Sequence, residues 1–120
     1  GAVAASTDEV TLLAALIQCE AGGESHTGKV AVGAVVMNRV RSGQFPNSIT
    51  EVVYQSGQFS PVASGALASV LAQGARSESR SAISIFSNDH RGVFAQAAAT
   101  FAVRYMKTYA GRDLAAAFFL

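Results

Sequence analysis

Gly28-Lys29-Val30-Ala31-Val32-Gly33-Ala34-Val35-Val36-Met37-Asn38-Arg39-Val40 is apolar over most of a helical circumference until Asn38 and Arg39. Val30, Ala34, Met37 and Val40 fall on one side of it. A helix apolar nearly all round belongs in the middle of a domain, so the spacing predicts a central, buried helix over about 27–41. Gly33 lowers helix propensity there, which makes sense where another helix packs closely. Asn38 follows Ala34 by four residues and Val30 by eight, so its amide enters an apolar surface and must be hydrogen-bonded. It either anchors the structure or orients a reacting carboxyl or a water. Arg39 is expected to form a salt bridge.

On the N-terminal side, Ser6-Thr7-Asp8-Glu9 is a capping-box pattern in which the Ser6 hydroxyl and Glu9 carboxylate serve orphan amides reciprocally. It opens a helix expected over about 7–21. Val10, Leu13 and Ile17 recur at helical spacing, and Glu20 continues the same stripe. A carboxylate on an apolar face is partly stripped of water, which penalises its charged form and suits it to hold a proton as a general acid. Gly22 and Gly23 read as a C-terminal cap, with Glu24 at the junction to the next helix and His26 on the surface at that helix's start. Cys19 lies about 100° around the helix from Glu20 and reads as a small packed residue.

On the C-terminal side, Ser42-Gly43-Gln44-Phe45-Pro46-Asn47 is a loop by its turn residues, and Ser48-Ile49-Thr50-Glu51 restarts a short helix with a second capping box. That box explains Glu51 without catalysis. Tyr54, Gln55, Gln58, Phe59 and Ser60 then combine flat apolar faces with amide and hydroxyl groups around Gly57, the equipment that sugar rings require. A turn that plugs the core with Tyr54 and Phe59 is the alternative, and on these residues alone the favoured one. Ala63 to Ala75 reads as a small-residue helix or a pair of turns.

Three ordered blocks, Glu20-Ala21-Gly22-Gly23-Glu24, Ala31 to Val40 with its Asn38-Arg39 pair, and Tyr54-Gln55-Ser56-Gly57-Gln58-Phe59-Ser60, closely resemble the SleB/CwlJ-type cell wall hydrolases, the family of spore-cortex-lytic enzymes. The likeness covers roughly residues 8–74. It implies a mainly α, small lysozyme/lytic-transglycosylase-like domain, with or without a short β-hairpin near the C-terminus, acting on peptidoglycan glycan strands. The first Glu of the family's block maps onto Glu20 as the catalytic acid and the second onto Glu24 in a supporting role. The resemblance also implies export to the cell wall, periplasm or spore.

The 120 residues are 50% hydrophobic and 14% charged, which suits one catalytic domain with a six-residue N-terminal arm. Nine Lys and Arg against eight Asp and Glu leave a net charge of +1, too little for a nucleic-acid partner. No run approaches the ~18 apolar residues of a membrane span. One cysteine cannot form an internal disulfide, and the absence of His and Cys clusters at ligand spacing argues against a metal or other cofactor. The chain is expected as a monomer.

Residues 76–120 depart from the family pattern. Ser81 to Phe86, a turn at Ser87-Asn88-Asp89-His90-Arg91-Gly92, a helical pattern from Val93 to Tyr109 and an apolar terminus at Ala115 to Leu120 replace an aromatic hairpin, of which only Tyr105 to Phe119 keeps an echo. Asp89 and His90 sit among turn formers with no nucleophile motif. Two-carboxylate glycosidases need a second acidic group, and Glu24 is the sole candidate beside Glu20. One carboxyl suffices for a lytic transglycosylase, which is the expected reaction. A hydrolytic muramidase using Glu24, and a non-catalytic peptidoglycan-binding or spore-coat module, are the alternatives.

Overall fold

The computed structural model describes residues 7–84, all of whose regular structure is helical. Helix α1 spans Thr7–Ala21, α2 His26–Arg41, α3 Ile49–Val53, α4 Ser60–Ser64, α5 Ala66–Gln73 and α6 Ser77–Ser81. This is the mainly α architecture expected of a lysozyme-like domain. The expected C-terminal hairpin, the helical pattern from Val93 to Tyr109, the Asp89-His90 pair, the apolar terminus and Ser6 all lie outside the described residues.

The centre belongs to α1, where the sequence pointed to α2. Helix α1 packs against all five other helices, whereas α2 meets α1, α3 and α6. The stripe Val10, Leu13, Ile17 is narrower than the buried surface: Leu12 through Ile17 are all buried, so the helix is enclosed for a turn and a half. Ala14, Ala15 and Ala21, fully buried, leave room for neighbouring helices to approach. Helix α2 is enclosed as well, from Gly28 through Met37. Ile49, Val52 and Val53 of α3, Leu67 of α5, and Ala82 and Ile83 beyond α6 complete one core. Each fully buried Leu or Ile here stabilises the fold by about 1.5–3 kcal/mol.

Side chains fix how these helices are joined. Ser25 caps α2, its hydroxyl accepting from Gly28 N at 3.2 Å, and Ser48 caps α3 by accepting from Glu51 N at 3.1 Å. The second capping box therefore supplies its serine half as read from the sequence. Glu9 also reaches beyond its own helix, its Oε2 accepting from Thr50 N and Oγ1 of α3, while its pairing with Ser6 lies outside the described residues. Gln18 Oε1 accepts from Arg76 N at 2.6 Å, tying α1 to the segment before α6. Gly65, at φ 85°, separates α4 from α5 in a left-handed conformation that a side chain would strain.

Candidate active site

Glu20 occupies the last turn of α1, between Ile17 and Ala21, both fully buried, and is itself only 3% exposed. A carboxyl group at that depth is largely removed from bulk water, the setting in which a general acid or base works on a bound group. Its neighbour Cys19 is half-buried, and its thiol pKa is raised first by burial and second by the negative charge of Glu20.

The turn after Glu20 is built by its backbone. Glu24 N donates to Ala21 O at 3.0 Å, and Glu24 O accepts from Lys29 Nζ at 2.6 Å. Glu24, half-buried, is thus held at both of its peptide groups, one residue before the Ser25 cap of α2. Lys29 is 7% exposed and was not singled out in the sequence, although a lysine entering a Val-Ala-Val run is itself the signal. The two glycines of this turn are not left-handed caps, since neither has a positive φ. Gly22 is required for space: a Cβ there would lie 2.5 Å from Gln18 O. Nothing lies within 4 Å of a Cβ on Gly23.

The third block folds as a turn between α3 and α4. Tyr54 forms the C-cap of α3 and is 48% exposed, a large aromatic face open to solvent. Gln55 is half-buried with its Oε1 buried and without a hydrogen-bond partner. Gly57 takes φ 75°, which lets the chain reverse toward Gln58 and Phe59. Phe59 is set apart from its neighbours: at 4% exposure its ring serves the core, as the core-plugging alternative describes, while Tyr54 does not. Ser60 is exposed and opens α4, with Pro61 following in the first turn where its missing N–H costs nothing.

What holds Phe59 and Gln58 is Arg39. The guanidinium is 1% exposed and lies over the rings of Phe45 and Phe59, 5.0 and 5.4 Å from their centroids. Its Nη1 donates to Gln58 Oε1 at 3.1 Å. The expected salt bridge is replaced by two aromatic faces and an amide, partners that accept a cation without bringing a second charge into the interior. Burial alone lowers the Arg39 pKa. Asn38, one residue earlier, is half-buried, and its carbonyl accepts from Ser42 N at the end of α2.

Among the described residues, no group of three or more His, Cys, Asp and Glu could hold a metal ion, and no helix is long and apolar enough to cross a membrane.

A family described as cell wall hydrolase matches residues 23–115, a span that begins inside the Glu20–Glu24 turn and runs past residue 76, where the motif likeness thins. Spore cortex-lytic enzymes are similar over 60 residues, half of this chain: that of Bacillus subtilis is 42% identical and that of Bacillus cereus 40%. The aligned stretch covers 20% of the first protein and 23% of the second, less than a quarter of either. The spore cortex-lytic enzyme of Oceanobacillus iheyensis is 38% identical over a stretch of the same length. No solved structure matches.

Proposed function

The chain belongs to the cell wall hydrolase family, and on that premise we propose that it cleaves peptidoglycan glycan strands between N-acetylmuramic acid and N-acetylglucosamine as a lytic transglycosylase with Glu20 as acid and base. The observation that carries this reading is the burial of Glu20 at the end of the central helix, beside a turn held by Lys29. A carboxyl so placed is suited to the part of general acid. Glu20 donates that proton to the glycosidic oxygen as the bond to C1 of the muramyl sugar breaks. The resulting carboxylate then accepts the proton of the same sugar's C6 hydroxyl as that oxygen bonds to C1, giving a 1,6-anhydro end and restoring the acid. No water is consumed.

In this reading Tyr54 offers the stacking face for a sugar ring, Gln55, Gln58 and Ser60 of the same turn and Asn38 of α2 serve as polar contacts, and the buried Phe59 anchors the turn in the core. The names of the relatives, spore cortex-lytic enzymes, support spore cortex as a substrate; vegetative wall as a further substrate, export and a monomeric state belong to the same proposal. A hydrolytic muramidase is the second reading, favoured by one observation: Glu24 is anchored at both peptide groups four residues after Glu20, where it could position a water.

Mass spectrometry of fragments released from peptidoglycan and spore cortex tests the proposal. Anhydromuropeptides from the wild type and none from Glu20→Gln, with helix content unchanged, are expected. Reducing-end muropeptides would replace it by the hydrolase. Absence of any fragment would leave a binding or spore-coat module, and residual cleavage by Glu20→Gln would remove Glu20 from the chemistry.

A further inference from the structure

The guanidinium of Arg39 does more than fill space in the core. It is the last buried side chain but one on α2, and it reaches Phe45 in the 42–48 loop and both Gln58 and Phe59 in the turn before α4. That turn has long backbone hydrogen bonds of its own, Gln55 N to Val52 O at 3.4 Å and Gln58 N to Gln55 O at 3.3 Å, and an exposed Ser56-Gly57 tip. The bond from Arg39 is therefore a principal constraint on how Gln58 stands. An apolar residue would pack this slot without the desolvation penalty of a buried cation. What the cation adds is polarity: only a donor selects the oxygen of the Gln58 amide over its nitrogen.

We propose that Arg39 is a positioning residue which turns the carbonyl of Gln58 inward, so that its NH2 group stands as a fixed hydrogen-bond donor for the acetamido carbonyl oxygens of the glycan. This rests on the reading of the Tyr54–Ser60 turn as a glycan contact. Gln58 is half-buried, so one edge of its amide is committed to Arg39 while the other is available to a ligand. A planar amide held at its oxygen places its two N–H donors on the opposite edge. Among the acceptors on a glycan strand, which include hydroxyl and ether oxygens, the carbonyl oxygens of its N-acetyl substituents are the strong uncharged ones that match such a donor.

The test is binding of the 120-residue chain, in a Glu20→Gln background that does not turn over, to purified glycan strands before and after chemical N-deacetylation. Gln58→Glu keeps an oxygen for Arg39 but replaces the donor edge by an acceptor. It is expected to fold with unchanged helix content and to bind acetylated strands about tenfold more weakly, the factor for about 1.4 kcal/mol. Its preference for acetylated over deacetylated strands should collapse. Arg39→Lys, which retains a donor, is expected to keep more of that preference than Arg39→Met. Equal binding by Gln58→Glu and the parent, or an equal loss on both kinds of strand, would overturn the proposal while leaving the glycan reading intact. A parent that binds neither strand would overturn both.

Discussion

Glu9 and Thr50, on helices α1 and α3, are joined by two hydrogen bonds: Glu9 Oε2 accepts from Thr50 N at 3.0 Å and from Thr50 Oγ1 at 3.1 Å. The Glu9 carboxylate thus serves the first turn of a second helix, where a negative charge also complements the exposed amides. Replacement of Glu9 by alanine should remove both bonds and lower unfolding free energy by about 1 kcal/mol, within the range for lost caps. Urea denaturation reads this directly. An unchanged midpoint would show that the pair contributes nothing in solution. Thr50→Val should reproduce part of the loss, and the Glu9→Ala, Thr50→Val double variant should fall short of the sum.

Gly22 and Gly23 make a paired comparison. Gly22→Ala pushes a methyl to within 2.5 Å of Gln18 O, two residues from Glu20, and the end of α1 must shift to admit it. A loss of about 1–3 kcal/mol is expected, together with reduced cleavage per folded molecule. Gly23→Ala meets open space at an ordinary φ and should stay within about 0.5 kcal/mol of the parent. Thermal melts of the two variants decide the matter; equal destabilisation would mean the turn relaxes freely.

Cys19 reports on Glu20. Its thiol is raised above the ordinary value by burial and then by the carboxylate, so at a given alkaline pH the native chain holds less thiolate than the unfolded chain. Iodoacetamide labelling at pH 8 should thus be slower in the native than in the urea-unfolded protein. The linkage has one sign. The raised folded pKa costs no stability below the unfolded thiol's pKa, and stability falls as pH rises above it. Glu20→Gln removes the second cause only and should quicken labelling modestly. Labelling no faster in that variant would show that Glu20 carries no charge at Cys19.

The sequence reveals most where cause and effect are local. The Glu20–Glu24 block, with two glycines after an apolar run, locates the end of α1 at Ala21, and the Ser48 cap locates the start of α3. The start of α2 is legible to within one residue, the remainder turning on the Ser25 hydroxyl. What escapes is long-range. Nothing near Glu9 announces a partner 41 residues away, and the distance from Arg39 to Gln58 in the chain conforms to no helical or strand period. The place of α1 at the centre was hidden because alanines carry little weight in a hydrophobic stripe, although their small size is what admits five neighbours.

Phe45, Arg39 and Phe59 also bear on how the family can vary. Loss of either ring would leave a cation facing an apolar gap, and loss of the cation would leave two rings around a void. Truncation at any one of these three positions is penalised, whereas a concerted change that keeps the volume filled is not, so the trio should pass between lineages as one heritable unit, with residues 45 and 59 covarying through a side chain that neither adjoins in the chain.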